Sequence, residues 1–216
     1  MNNTAKFLIV FFIILIVGFL TYFKYQQDHH LHNLQVLGEG GHVVGAFSFT
    51  DQDGKTITEK DVDGKIRIVE YFFTTCKGIC PKMNENMAKV YQVFKNDADV
   101  VILSHTVDPE TDTVAQLKRY SQKFEANPSK WHFLTGKKED LYRKAIEDYL
   151  VTAADSTQKK IIPSFIHTER FVLIDKYNRI RGRFYDGTNE GDVQQLIGYI
   201  KELKKETADA GMQTSN

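Results

Sequence analysis

The run from Ile66 to Phe73 narrows the fold more than any other segment. It is rich in Ile, Val, Tyr and Phe, and too short for an ordinary helix, so it reads as a buried strand. Only Thr74 and Thr75 separate it from Cys76-Lys77-Gly78-Ile79-Cys80-Pro81. Beyond Pro81, Met83, Met87, Val90 and Phe94 recur at helical spacing, and proline suits the first turn of a helix. A buried strand feeding directly into an amphipathic helix commits the chain to an α/β arrangement.

The rest of the chain repeats that alternation. Phe47 and Phe49 alternate with polar residues, Asp53-Gly54 is a hairpin turn, and Thr56 to Thr58 is the return strand. Val100 to Leu103 is a second buried strand, Val114 to Phe124 a helix, Trp131 to Leu134 a short strand and Leu141 to Tyr149 a helix. A hairpin pairs Phe165 to Ile174 with Arg179 to Tyr185 through Lys176-Tyr177-Asn178, and the helix Val193 to Leu203 closes the domain. The expectation is a thioredoxin-like α/β domain: a central mixed sheet flanked by helices, with an N-terminal hairpin addition, preceded by one transmembrane helix.

That membrane helix is Phe7 to Phe23, an uncharged apolar run between Lys6 and Lys24 of about the minimum spanning length. Its exit, Gly18 to Tyr25, offers neither an A-x-A-like cleavage site nor a cysteine for lipidation, so it reads as a retained anchor. The domain organisation is then an anchor over 1–25, a juxtamembrane linker over 26–41, the thioredoxin-like domain over 42–206 and a flexible tail over 207–216. With 28 basic and 28 acidic side chains the chain presents no footprint for nucleic acid.

Cys76 and Cys80 are the only two cysteines. Two soft ligands where a loop meets a helix suit redox chemistry, a soft metal, or both; the plainer alternatives are a structural disulfide or two inert buried thiols. If Cys80 opens the helix, the dipole and the free amides of the first turn are expected to lower the pKa of its thiol. A cysteine pair of this kind makes better sense outside the cytoplasm, which favours an exported domain.

Taken in order, several motifs resemble the SCO/SenC family of membrane-tethered copper chaperones for cytochrome c oxidase. They are Phe47 to Lys55, Gly64-Lys65, Tyr71 through Cys76 to Cys80-Pro81, Val107-Asp108-Pro109-Glu110-Thr111-Asp112-Thr113, Phe133 to Gly136, and a lone His167 opening a strand that ends in Leu173-Ile174-Asp175. The similarity covers about Gly45 to Leu203. It implies one copper ion, Cu(I) or Cu(II), held by Cys76, Cys80 and His167, and delivered to the binuclear copper site of an oxidase subunit. It also implies a copper donor or a thiol reductant as a further partner; the anchor as first element, with no Arg/Ser-rich transit-like leader ahead of it, leads to the expectation of a bacterial inner-membrane location with the domain in the periplasm. Where the family often has proline after the first cysteine this chain has Lys77, and where it often has aspartate before the histidine this chain has Ile166. The alternative is a thiol-disulfide oxidoreductase that cycles Cys76 and Cys80 without metal. A peroxide-reducing enzyme on the same fold fits poorly, because Phe72 and Phe73 stand ahead of Thr74-Thr75-Cys76.

Other candidates carry less. His29, His30 and His32 are linker histidines able to catch a metal transiently. His105 is expected to follow a strand near the site in a packing or surface role, His132 to be a satisfied strand residue, and His42 carries no readable role. Asp108 begins a turn near the metal or partner face. Met83 and Met87 are read as core.

Overall fold

The computed structural model describes residues 3–31, 34–151 and 168–213, with side chains over 3–23, 34–151 and 168–206. The chain divides into two compact units, Met1–Leu34 and Gln35–Asn216. The first is helix α1 (Asn3–Leu31). Its stretch Asn3–Phe23 is long and apolar enough to cross a membrane, and none of its apolar side chains is buried.

The second unit is built on a seven-stranded mixed sheet. In chain order its strands are β1 (Val36–Leu37), β4 (Ile66–Phe72), β5 (Val100–Thr106), β6 (Trp131–Leu134), β7 (Arg170–Ile174), β8 (Ile180–Arg181) and β9 (Tyr185–Asp186). Neighbours run β1-β8-β7-β4-β5-β6, and β9 also pairs with β7. β4, β5 and β6 are mutually parallel, whereas β7 is antiparallel to β4. The expected N-terminal hairpin is β2 (Ser48–Thr50) with β3 (Thr56–Thr58). Thr50 and Thr135 exchange backbone hydrogen bonds of 2.8 Å, which fasten that hairpin beside β6.

Helices cover both faces. α2 (Glu59–Val62) follows the hairpin, α3 (Cys80–Phe94) follows β4, α4 (Val114–Gln122) follows β5, α5 (Lys138–Arg143) follows β6, and α6 (Glu190–Gln213) comes last. Period-two alternation sends Val69, Tyr71, Leu103 and His105 to one face, where they pack with Phe49, Ile57, Leu141 and Tyr149. The opposite face takes Phe72, which stacks on Tyr120 of α4. Met83, Met87 and Val90 of α3 are fully buried, so the methionines are core as expected. Burial of such a side chain contributes roughly 1.5–3 kcal/mol.

Three elements depart from expectation. β5 continues through Ser104, His105 and Thr106, three polar residues that the pattern places beyond the strand; all three are fully buried. Instead of one helix over Leu141 to Tyr149, α5 passes into a π-helical turn, Lys144–Asp148, where Tyr149 N–H donates to the Lys144 carbonyl five residues back. The turn carries buried Lys144, whose ammonium donates to the Gly45 carbonyl and pairs with Asp148 at 3.4 Å. The backbone of α6 extends beyond Leu203 to Gln213, into the expected tail. Of the terminal hairpin, residues 165–167 lie outside the described residues; the turn at Lys176 to Asn178 is present, with Asn178 at φ 64°.

A chain beginning at Gln35 is expected to unfold cooperatively, and Met87→Ala to cost it about 2–5 kcal/mol in denaturant melts. A loss below 1 kcal/mol would mean that α3 does not depend on this packing.

Candidate functional site

β4 ends at Phe72, and the next seven residues turn the chain into α3. Cys76 lies in this loop, half-buried, its N–H donating to the Phe73 carbonyl at 3.3 Å. Cys80 is the first residue of α3, 4% exposed, with Pro81 next. The Asn84 side chain donates back to the Cys80 carbonyl at 2.9 Å and steadies this first turn. Both cysteines are free thiols, and each influences how tightly the other holds its proton.

The two sulfurs differ in how tightly they hold a proton. Partial burial pushes the Cys76 thiol up, but hydrogen bonds from the Cys80 thiol and from the amides of Cys80, Gly78 and Ile79 outweigh it and leave Cys76 below the usual thiol range. Burial pushes Cys80 up to about 12, reinforced by its bond to Cys76 and by the charges of Cys76 and Glu70. This reverses the expectation that the helix start would lower the Cys80 pKa. Cys80 does begin the helix, but the free amides of that turn serve Cys76, one loop earlier, while Cys80 points into the protein. The pair therefore presents one partly accessible thiol that loses its proton more readily and one buried thiol that holds it more tightly. Two adjacent sulfurs suit a soft monovalent cation, and they suit a disulfide as well.

Behind them lies a residue the sequence analysis did not single out. Glu70, in the middle of β4, is fully buried, and burial pushes its carboxyl up to about 7 despite a hydrogen bond from Ser104 Oγ at 2.5 Å. Trp131 Nε1 donates in turn to Ser104 Oγ at 2.8 Å, while Glu70 Oε2 has no hydrogen-bond partner. The available signal was an acidic residue in a strand otherwise reading as buried on both faces.

The remaining candidates fall elsewhere. His105 is wholly enclosed on the face opposite Glu70, stacked on Tyr71 at 5.1 Å, with neither ring nitrogen partnered and its pKa pushed down to about 3 by burial and Lys144. It is a packing residue. His132 Nδ1 meets Asp51 Oδ2 at 3.4 Å, the satisfied strand histidine expected. His42 Nε2 lies 2.7 Å from the Asp148 carbonyl, in a structural bond. Asp108 begins a turn, its carbonyl accepting from Thr111 N–H and Asp112 N–H. It is Asp112, four residues on, whose carboxylate reaches the cysteine loop, accepting from Thr74 N–H at 3.1 Å. His167 lies outside the described residues, as do His32 and the side chains of His29 and His30. Among the described residues no three potential metal ligands of the His, Cys, Asp and Glu type converge.

A thioredoxin-like domain with a cysteine pair where β4 meets α3 defines a class of thiol-bearing redox and metal-handling proteins. The family model for SCO1/SenC matches residues 36–203, and the chain belongs to that family. A solved SCO1/SenC family lipoprotein from Bacillus anthracis is 31% identical, with a TM-score of 0.65, covering 79% of this chain and 99% of that one. BsSco, a member of the Sco family of cytochrome c oxidase assembly proteins in which a disulfide switch has been identified, is 25% identical at a TM-score of 0.64, covering 79% and 96%. Arabidopsis thaliana ScoI, solved with copper bound, is 31% identical at a TM-score of 0.57, covering 76% and 99%.

The Glu70 carboxyl keeps its proton to about pH 7 in the fold, whereas its ordinary value is 4.5. Its favourable contribution is therefore complete below about pH 4.5 and lost as pH rises through 7, about 3 kcal/mol at most. Denaturant melts from pH 4.5 to 8 are expected to show wild type losing stability relative to Glu70→Gln across that window. Parallel pH profiles for the two proteins would contradict the buried, proton-retaining carboxyl.

Proposed function

We propose that this protein carries copper to the copper-site subunit of cytochrome c oxidase, binding the ion through Cys76, Cys80 and His167. The observation that carries the reading is the pair of free cysteines where the loop after β4 meets α3, one half-buried with a lowered thiol pKa and the other buried with a raised one. Copper is the cargo rather than a resident cofactor. The thiolate of Cys76 is the accessible point of capture, and closure onto Cys80 releases that thiol's proton and moves the ion toward the interior. Imidazole from His167 adds the nitrogen that lets a thiolate site hold either copper oxidation state. Hand-over is then an exchange of ligands with the receiving site, with no covalent bond made in the cargo. The relatives support this: copper is bound in the Arabidopsis protein, and BsSco is an oxidase assembly protein. In this reading α1 is the membrane anchor and the domain faces the exported side, the bacterial periplasm, where the receiving subunit is accessible.

Thiol-disulfide exchange is the second reading, favoured by the two free cysteines four residues apart and by the disulfide switch of BsSco. The Cys76 thiolate attacks a partner disulfide and releases one partner thiolate. Cys80 then loses its proton and displaces the other partner sulfur, closing the Cys76–Cys80 bond; two electrons pass to the partner. Oxidation of the pair removes the copper site and reduction restores it, so one centre accommodates both activities.

Anaerobic Cu(I) titration against a competing chelator separates the readings. Wild type is expected to bind one ion, Cys80→Ala to lose tight binding, and His167→Ala to bind at least tenfold more weakly with an unchanged disulfide midpoint potential. Equal copper affinity in wild type and His167→Ala would remove His167 from the site. Absence of tight copper with a reversible disulfide would leave the redox function alone.

A further inference from the structure

The segment Asp108-Pro109-Glu110-Thr111-Asp112-Thr113 belongs to the motif set of the sequence, yet none of its residues is among the copper ligands. The structure gives part of it a task. Asp112 is fully buried, and its two carboxylate oxygens collect donors from two different elements. Thr74 N–H donates at 3.1–3.2 Å and Thr74 Oγ1 donates to Oδ1 at 2.5 Å, both from the cysteine loop. Thr106 Oγ1, at the end of β5, donates to Oδ2 at 2.5 Å.

The two hydroxyls have no freedom left. Thr74 Oγ1 accepts from Gln116 Nε2 of α4 at 3.1 Å, and Thr106 Oγ1 accepts from the backbone N–H of Asp108 at 2.9 Å. Each hydroxyl has one proton, and each proton is committed to Asp112. The carboxylate is thus the single acceptor toward which the cysteine loop, the end of β5 and the start of α4 are all oriented. A buried polar group left without its partner is costly, so loss of this acceptor is not locally repairable.

We infer that Asp112 is a positioning residue of the copper site, holding Thr74, two residues before Cys76, so that the loop presents Cys76 to Cys80 and to the amides of α3. The inference rests on the cysteine site being the functional site. An amide at position 112 turns an N–H₂ toward a donor. One hydroxyl must then accept from that N–H₂ instead of donating, and its own proton loses the carboxylate acceptor. Thr74→Val removes the same bond from its other end, whereas Thr74→Ser keeps both the hydroxyl and the backbone donor.

The test is Cu(I) competition titration of the reduced domain beginning at Gln35, with the thiolate-to-copper charge-transfer spectrum of the Cu(II) form as a second readout. Asp112→Asn and Thr74→Val are expected to weaken Cu(I) binding at least tenfold and to shift that spectrum. Thr74→Ser is expected to bind within twofold of wild type. Met87→Ala, destabilised through the core and remote from this network, is also expected to bind within twofold, which separates positioning from general loss of stability. Wild-type affinity and spectrum in both Asp112→Asn and Thr74→Val would overturn the inference. So would equal weakening in Met87→Ala. If Asp112→Asn does not fold, Thr74→Val decides by the same thresholds. If wild type itself binds no Cu(I), the copper reading fails separately, and the Cys76–Cys80 disulfide equilibrium against glutathione takes over as readout. A tenfold change in Asp112→Asn, about 30 mV for a two-electron couple, then supports positioning, and an unchanged equilibrium overturns it.

Discussion

The parallel pairing of β4 with β5, from Ile66 opposite Val100 to Phe72 opposite Thr106, is the constraint on which the site depends. Parallel neighbours release their following loops at the same end of the sheet, so the cysteine loop after β4 and the Asp108–Thr113 loop after β5 emerge side by side. That adjacency lets one buried carboxylate, Asp112, bind both Thr74 and Thr106. It also places Glu70 and Ser104, opposite each other in the register, on the face that α3 covers. The strand pairing is a matter of backbone and apolar packing; the chemistry follows from the residues that the register brings into line.

The same architecture explains why two cysteines four residues apart are unlike. An α-helix start offers a few unbonded amides in one direction only, and the loop turns Cys76 back across them. Cys80, inside the helix, cannot use those amides and faces a buried interior that contains a second acid. A site whose outer thiol gives up its proton more readily than usual and whose inner thiol holds its proton more tightly is suited to stepwise capture. In the proposed function a soft cation or a partner sulfur meets Cys76 first, and formation of the second bond at Cys80 completes the transfer. Copper carriage and disulfide exchange share this first half.

Much of this was readable from the chain. Ile66 to Phe73, the spacing of Met83, Met87, Val90 and Phe94, and the Asp53-Gly54 turn each have a local cause, so strand, helix and hairpin fall where pattern puts them. The misses have a common physical origin. Ser104, His105 and Thr106 look like the end of a strand because they are polar, yet long-range partners or aromatic enclosure keep them inside it. The helix after β6 widens into a π turn where Lys144 finds its partners in Gly45 and Asp148, a contact no local pattern encodes. At the site, the two cysteines were evident from their spacing, but the direction of the Cys80 pKa was not, because it depends on which way the amides of α3 face. Glu70 was signalled only as a charge out of place. Asp112 was visible as part of a motif, although its role needed the strand register.

The central claim is that the pair Cys76 and Cys80 is a copper site and not merely a redox pair. X-ray absorption of the anaerobic Cu(I)-loaded domain tests it most directly, by counting the neighbours of the metal. The account predicts one copper per chain with two sulfur neighbours and at least one nitrogen, and loss of a sulfur neighbour in Cys80→Ala. A copper environment of nitrogen and oxygen alone, or one indifferent to Cys80→Ala, would contradict it.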